Sequence, residues 1–305
     1  MTTRVLALVG PTASGKSALA VQLAQRLPAA EIVGTDSMQV YRGMDIGTAT
    51  PTITEQAGVR HHLIDVWAPD HAVTVAEFQA SARDAIGDAA VRGAVPIVVG
   101  GSGLYVSAVL DDLRFPGTDP VVRGRLETEL AEVGPERMHE RLGAVDPAAA
   151  AAILPTNGRR IVRALEVIEL TGGPFVAHLP VPTDMYDTVR IGLDVPRDVL
   201  DERIALRVDR MWADGFVQEV RDLEARGLSS TPTASRALGY AQVLDFLKGR
   251  ITEDEARQAT VDATRKFARR QQRWFRRDPR ITWIRYDSPT ATDDVLAAWG
   301  SETST

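Results

Sequence analysis

The sequence of 305 residues contains no cysteine. This absence excludes a disulfide framework, a thiolate zinc site and a cysteine nucleophile, and it is typical of proteins in a reducing cytoplasm. The sequence also lacks an apolar run of about 18 residues, the length that a membrane-spanning helix needs. The run Val5–Val9 is short and ends at Gly10-Pro11, which predicts a buried strand rather than a signal peptide. We therefore expect a cytoplasmic protein that does not associate with a membrane.

Positive charge is scarce over most of the chain, whose formal net charge is −6. A nucleic-acid partner would therefore need a local basic surface. The segment Thr264–Arg280 supplies one, because it carries eight Lys and Arg residues against the single acid Asp278. Its helical pattern fits either a core helix with a solvated basic face or a surface that follows an RNA backbone. We expect Trp274 and Phe275 of this segment to lie in the core.

A phosphate-binding loop follows the first predicted strand. The loop matches the pattern G-x-x-x-x-G-K-[ST] and stands between that strand and a predicted helix, Lys16–Arg26, which is the context that the pattern requires. Backbone N–H groups of such a loop point at an anion, Lys16 adds a positive charge, and the hydroxyl of Ser17 can ligate Mg²⁺. The predicted anion-binding residues are Gly10, Pro11, Thr12, Ala13, Ser14, Gly15, Lys16 and Ser17.

The loop alone does not identify the ligand that carries the phosphate. An ATPase usually places a Mg²⁺-associated aspartate at the end of a neighbouring strand, but the predicted strand Ala94–Val99 is followed by Gly100–Gly103. The nearest acid at a strand end is Asp36, and in a parallel sheet this end lies on the same edge as the phosphate loop. Asp36 is thus a metal ligand, a general base or a cap of the next turn.

Strand and helix signals alternate in the first part of the chain, which predicts a parallel sheet with helices on both faces. From about Phe115 to Pro182, helical patterns dominate, and a strand pattern returns at Thr188–Leu193. We expect an α/β fold with a P-loop NTPase-like parallel sheet core and a helical insertion domain. The core would comprise residues 1–114 and 184–305, including the basic C-terminal helix, and the insertion residues 115–183.

Several further blocks of sequence follow the phosphate loop. They are GTDSMQVYRGMDIGTATP (Gly34–Pro51), HHLIDV (His61–Val66), GGSGLYV (Gly100–Val106), RRIVRALEV (Arg159–Val167), GFVQEV (Gly215–Val220), ALGY (Ala237–Tyr240) and TRKFARRQQRWF (Thr264–Phe275). In this order, and together with GPTASGKS, they resemble the tRNA dimethylallyltransferase family over nearly the whole chain. The Asp36–Pro51 block is far more specific than the phosphate loop.

The resemblance implies transfer of a dimethylallyl group from dimethylallyl pyrophosphate to N6 of the adenosine adjacent to the anticodon in tRNA. The phosphate loop would hold the pyrophosphate leaving group, which accounts for the missing acid after Val99. The loop amides, Lys16 and Mg²⁺ on Ser17 would neutralise its charge. Thr12 would lie beside the pyrophosphate and hydrogen-bond a bridging oxygen, and Asp36 would accept the proton of the attacking amine. The arginine stripe Arg203, Arg207 and Arg210 fits closure over the pyrophosphate and a solvated face equally well.

The resemblance also implies contacts with the anticodon stem-loop of tRNA. The residues assigned to this contact, the last three of which lie in the basic segment, are Asp36, Ser37, Met38, Gln39, Ser102, Arg123, Arg159, Arg160, Arg163, Arg236, Tyr240, Arg269, Arg270 and Arg273. The chain departs from the family pattern at Leu154–Asn157, where His-Pro-Asn-Asp is common, and at Arg273, where Thr is common. We expect the chain to act as a monomer.

Three other functions compete with this one. A nucleotide-type kinase is disfavoured by the glycines after Val99, where a kinase would place an acid. An enzyme that prenylates free adenine nucleotides would not need the helical insertion or the basic helix. An RNA-binding module with a vestigial phosphate loop would not need Lys16, Ser17 and Asp36 together.

Overall fold

A computed structural model describes residues 2–176 and 181–301 of the chain. By its internal contacts the described chain separates into two compact units, residues 1–111 with 184–305, and residues 112–183. The expected insertion, 115–183, falls inside the second unit. None of the helices in the described residues is long and apolar enough to cross a membrane.

The first unit is built on a parallel sheet, as the strand–helix alternation predicts. Within the described residues six strands form it in the order β3-β2-β4-β1-β5-β6. They are β1 (Arg4–Val9), β2 (Ala30–Gly34), β3 (His61–His62), β4 (Val95–Gly100), β5 (Asp187–Asp194) and β6 (Ile281–Arg285). Because all strands are parallel, the phosphate loop, Asp36 and Gly100–Gly103 follow strands that end at one edge of the sheet.

Helices cover both faces of this sheet. They are α1 (Lys16–Arg26), α2 (Ile53–Gln56), α3 (Val75–Val91), α4 (Gly103–Leu110), α8 (Arg197–Ala213), α9 (Phe216–Glu224), α10 (Tyr240–Leu247), α11 (Glu253–Phe275) and α12 (Ala291–Ser301). Side chains of β1 alternate between the faces. Val5 and Val9 pack with Phe78 of α3, whereas Leu6 and Leu8 pack with helix α1. This two-sided burial explains why β1 is apolar from Val5 to Val9.

Helix α11 contains the basic segment as far as Phe275, and the remaining residues, Arg276–Arg280, follow the helix. It begins at a capping box of Thr252 and Glu255. Phe275 is buried, as expected, but the expectation for Trp274 is wrong, because 40% of this residue is exposed. A Cβ on Gly103 would lie 2.4 Å from the Trp274 ring. The ring therefore covers the backbone at the start of α4 and leaves part of its surface in solvent.

The second unit is helical, in agreement with the pattern of its sequence. Its helices are α5 (Pro120–Val145), α6 (Pro147–Ala152) and α7 (Gly158–Thr171). Helix α5 is interrupted at Gly134, which has a φ of 82° and is followed by Pro135. Leu126, Met138, Leu142 and Ile161 lie in the core of this unit.

Candidate active site at the carboxyl edge of the sheet

The phosphate loop connects β1 to α1 and depends on two glycines. Gly10 has a φ of 140° and Gly15 a φ of 99°, a backbone conformation that residues with a Cβ rarely adopt. The turn brings Lys16 into the interior, where it is 8% exposed. The next side chain, Ser17, is exposed in the first turn of α1. The loop thus presents a helix N-terminus, a buried amine and an accessible hydroxyl.

The amine of Lys16 bonds to the loop itself. Its Nζ donates to the Pro11 carbonyl at 2.5 Å and to Ser14 Oγ at 3.3 Å. Burial lowers the pKa of Lys16 to about 7; the nearby Arg207 cation also lowers it, and Asp36 opposes both. Without an anion, therefore, this lysine changes charge near neutral pH.

Two arginines of α8 reach the loop. Arg207 Nη1 donates to Thr12 Oγ1 at 3.1 Å, and Arg203 Nη1 lies 3.5 Å from the Ser14 carbonyl. Burial lowers the pKa of Arg207, while Asp36 acts in the opposite direction. Of the two interpretations of the arginine stripe, the structure thus favours contact with the phosphate loop for Arg203 and Arg207, whereas Arg210 is exposed.

Asp36 lies two residues beyond β2. One of its oxygens accepts the Met38 N–H at 2.8 Å, so it does cap the following turn. Burial raises its pKa, and the N–H groups of Met38 and Gln39 and the charges of Lys16 and Arg207 oppose this effect. A carboxylate whose pKa is raised by burial, next to two cations, is a stronger base than an exposed aspartate. Turn capping and proton acceptance are therefore compatible roles.

The glycines after β4 make room for neighbouring side chains. A Cβ on Gly100 would lie 1.8 Å from Thr35 Oγ1, and one on Gly101 would lie 2.5 Å from Gln271 Nε2. The segment that ends β4 and leads into α4 therefore contacts the residue before Asp36 and the basic helix α11. The segment Gly100–Gly103 contains no acidic residue of the Mg²⁺-binding kind that an ATPase usually places at this position.

A half-buried carboxylate holds the segment that follows Asp36. Glu219 of α9 accepts the backbone N–H groups of Asp45 at 2.9 Å, Ile46 at 2.7 Å and Gly47 at 3.2 Å. It also accepts the Tyr240 hydroxyl at 2.6 Å. This arrangement gives a structural role to the blocks GFVQEV and ALGY, because Glu219 of the first block binds Tyr240 of the second. The sequence did not predict this contact. The sequence contains Glu219, Tyr240 and the Gly-containing loop Asp45–Gly47, but no pattern in it indicates that they contact one another.

The expectation that Tyr240 contacts tRNA is wrong for this structure. Tyr240 is 0% exposed, and burial together with Glu219 raises the pKa of its hydroxyl. Its ring packs edge-on against Phe216 at 5.0 Å. A Cβ on Gly47 would lie 2.5 Å from the Tyr240 ring. Tyr240 is thus a core residue that supports the loop after Asp36.

The other predicted RNA contacts of the first unit lie at or near the surface. Arg270 and Arg273 of α11 are exposed, and Arg269 is half-buried with Asp201 3.5 Å away. Arg236 is exposed in a short 3₁₀ helix, Ala234–Arg236, and Ser102 is half-buried at the start of α4. Ser37, Met38 and Gln39 are half-buried, and Gln39 Nε2 donates to the carbonyls of Thr48 and Ala49.

The predicted contacts of the second unit divide into two groups. Arg123 and Arg163 pair with Glu166, whose side chain is buried. Burial is the largest single effect and acts to raise the pKa of Glu166, but hydrogen bonds from Arg123, Thr118 and Arg163 together hold that pKa below its usual range. Arg159 and Arg160 are exposed on α7. Ile161 and Val162 face the core of this unit, so α7 has an apolar face and an exposed basic end.

The fold and this site together define a P-loop-type α/β protein with a general-base candidate beside its anion loop. The described residues contain no group of three or more His, Cys, Asp or Glu side chains that would hold a metal ion by themselves.

Comparison with known proteins identifies the family. The sequence model of the IPP transferase family matches residues 39–278. The tRNA dimethylallyltransferase of Thermobifida fusca is 62% identical over 297 residues, which cover 96% of this chain and 93% of that protein. The chain therefore belongs to the IPP transferase family.

Solved structures agree in fold. The tRNA isopentenylpyrophosphate transferase of Bacillus halodurans aligns with a TM-score of 0.72 and 40% identity, covering 99% of this chain and 96% of that one. A eukaryotic dimethylallyltransferase acting on tRNA aligns with a TM-score of 0.84 and 24% identity, covering 99% of this chain and 80% of that one. The latter likeness concerns the fold alone.

Proposed function

We propose that the chain transfers a dimethylallyl group from dimethylallyl pyrophosphate to N6 of the adenosine adjacent to the anticodon in tRNA, releasing pyrophosphate. The observation that carries the proposal is one edge of the sheet, which combines an anion loop, two arginines of α8 and the half-buried carboxylate of Asp36. The names of the relatives at about 60% identity support the same reaction.

The anion loop suits a pyrophosphate leaving group. When the bond between the allylic carbon and the pyrophosphate oxygen breaks, the electron pair leaves with the oxygen, and negative charge grows on the pyrophosphate. Lys16, Arg207 and the N-terminus of α1 lie where they can neutralise that charge. Thr12, held by Arg207, places a hydroxyl at the same anion site.

Mg²⁺ fits the oxygen donors present. This ion keeps several waters and is commonly held by one or two protein oxygens together with substrate phosphates. The exposed hydroxyl of Ser17 stands next to Lys16 at the start of α1, the position that such a ligand needs. When bound, Mg²⁺ would add positive charge at the departing pyrophosphate.

Asp36 accepts a proton in the proposed reaction. The exocyclic amine of adenine is a weak nucleophile, because its lone pair is delocalised into the ring. As its nitrogen forms the new bond to the allylic carbon, one N–H proton passes to the Asp36 carboxylate. The raised pKa of Asp36 favours this transfer, and the neighbouring cations Lys16 and Arg207 act to lower that pKa.

The acceptor requires a surface for RNA. The exposed arginines of α11, Arg270 and Arg273, form a basic surface at the carboxyl end of that helix. The reactive adenosine must leave its stack to reach Asp36, which costs a few kcal/mol and less in a single-stranded loop than in a duplex. Arg159 and Arg160 supply a further basic end in the second unit.

A label-transfer assay tests the proposal. Purified protein receives labelled dimethylallyl pyrophosphate, Mg²⁺ and a mixture of unmodified tRNA and AMP. We expect label in tRNA, and nuclease digestion should locate it on N6 of the anticodon-adjacent adenosine. Label in AMP alone would favour nucleotide prenylation, and no transfer to either acceptor would refute the proposal and direct the next test to ATP as a phosphoryl donor.

A matched pair of variants tests the base. Asp36→Asn keeps the shape of the side chain but cannot accept the proton, so transfer should fall by about 100-fold or more, while binding of inorganic pyrophosphate persists. Asp70→Asn, at an exposed position, should leave transfer unchanged. Wild-type turnover in Asp36→Asn would remove Asp36 as the base.

A further inference from the structure

The side chain of Gln271 lies buried between helix α11 and the loops at the edge of the sheet. It is 6% exposed. Its Oε1 accepts the backbone N–H of Thr12 at 2.9 Å, across 259 positions of sequence. A Cβ on Gly101 would lie 2.5 Å from its Nε2. One amide group thus touches both the phosphate loop and the glycine segment after β4.

The bond to Thr12 fixes one particular peptide group. The Thr12 N–H and the Pro11 carbonyl belong to the same peptide unit, and in a trans peptide they point in opposite directions. Gln271 binds the N–H end, and Lys16 Nζ binds the carbonyl end at 2.5 Å. This peptide is therefore held from both sides, and a rotation that reversed it would break both bonds.

The orientation of this peptide has a consequence for the anion. In a phosphate loop, backbone N–H groups usually point at the ligand. Here the Thr12 N–H points instead at α11, and the Pro11 carbonyl orients the amine of Lys16. Gln271 is therefore linked to Lys16 through one peptide group, and no direct hydrogen bond joins the two side chains among the described residues.

Gln271 also stands on the basic helix. Arg270 precedes it directly, and Trp274, one turn later, is partly exposed with its ring against Gly103. Gln271 thus links this part of α11 directly to the phosphate loop by a hydrogen bond to Thr12.

We propose that Gln271 is a positioning residue for the donor site: it holds the Pro11–Thr12 peptide so that Lys16 is directed correctly, and it connects the basic helix to the phosphate loop. The proposal rests on the proposed function for its donor, pyrophosphate, but the peptide geometry exists without any ligand.

The test uses Gln271→Met, which keeps length and burial but removes the acceptor, and Gln271→Asn, which keeps the amide but is too short. The control is Gln272→Met, at an adjacent and half-buried position. Among the contacts described, the Gln272 side chain makes one long hydrogen bond, from Nε2 to the Val195 carbonyl at 3.4 Å. Two quantities are measured: the Kd of inorganic pyrophosphate with Mg²⁺, and the pH midpoint of Lys16 acylation in the free protein. Thermal melting verifies that each variant folds.

We expect both Gln271 variants to bind pyrophosphate roughly tenfold more weakly, the order expected when a buried N–H loses its acceptor. The acylation midpoint of Lys16 should fall, since the ammonium form loses its carbonyl acceptor. Gln272→Met should match wild type in both quantities. A general destabilisation by the substitution would change melting but not the midpoint.

The outcomes separate the two proposals. If wild type fails to bind pyrophosphate, the proposed donor site is wrong, while the acylation midpoint still tests the peptide. If wild type binds pyrophosphate and the Gln271 variants share its Kd and its midpoint, the positioning role is refuted and the proposed function stands.

Discussion

The pH dependence of donor binding follows from Lys16. In the free protein its pKa is lowered to about 7, chiefly by burial and further by Arg207, with Asp36 opposing. The charged groups that shift the pKa of Lys16 are therefore Arg207 of α8 and Asp36, which follows β2. Only the ammonium form attracts pyrophosphate, so raising the pH through 7 should weaken binding, and lowering it should not. Bound pyrophosphate should in turn raise the pKa of Lys16.

The magnitude can be worked from that pKa. At pH 7 about half of the Lys16 amines carry a charge, and at pH 9 about 1% do. Affinity for pyrophosphate should therefore fall about 50-fold between these values, with a slope approaching one decade per pH unit. Lys16→Arg keeps its charge throughout this range, so its binding should lack this component.

The assay is calorimetric titration with inorganic pyrophosphate and Mg²⁺ at pH 6 to 9. The ratio of wild-type to Lys16→Arg affinities removes the titration of the ligand itself. Acylation of Lys16 against pH provides an independent measurement, with Lys266 as an exposed reference in the same protein. A constant affinity ratio together with an acylation midpoint near that of Lys266 would refute the reasoning.

Much of the fold could be predicted because its signals are local. A five-residue apolar run, a glycine-rich turn and a helical pattern specify β1, the phosphate loop and α1 within about 25 residues. The position of Asp36 also followed, since parallel strands end at one edge. The sheet confirms that inference: β2 and β1 both flank β4.

The missed features depend on contacts distant in sequence. Thr12 and Gln271 are 259 positions apart, and Glu219 lies more than 170 positions from the loop that it holds. Neither a glutamine on a basic helix nor a glutamate on an amphipathic one indicates its partner. The RNA contact of Tyr240 is implied by the family resemblance alone, and its burial depends on contacts with Phe216 and Glu219 that no local signal indicates. Helical spacing places Trp274 on the same face of the helix as Phe275, which is why it is expected in the core. The spacing does not indicate how deeply that face is buried.

Three variants test the site beyond the phosphate loop. Gly47→Ala should destabilise the fold by about 2 kcal/mol or more, because its Cβ would meet the Phe216 and Tyr240 rings, whereas Gly87→Ala in α3, with open space around it, should be neutral or stabilising by up to about 1 kcal/mol in denaturant titrations. The double change of Arg270 and Arg273 to Gln should reduce the salt slope of tRNA binding by roughly 1.5; an unchanged slope would return that face of α11 to a purely structural role. Tyr240→Phe separates a core role from an RNA contact. Its hydroxyl donates to Glu219 at 2.6 Å and is buried, so its loss should cost about 1–3 kcal/mol of unfolding free energy. Because the side chain does not reach the surface, the Kd for tRNA should equal that of wild type. Weaker tRNA binding at wild-type stability would mean that the Tyr240 hydroxyl contacts the RNA, and the structural assignment would then be wrong.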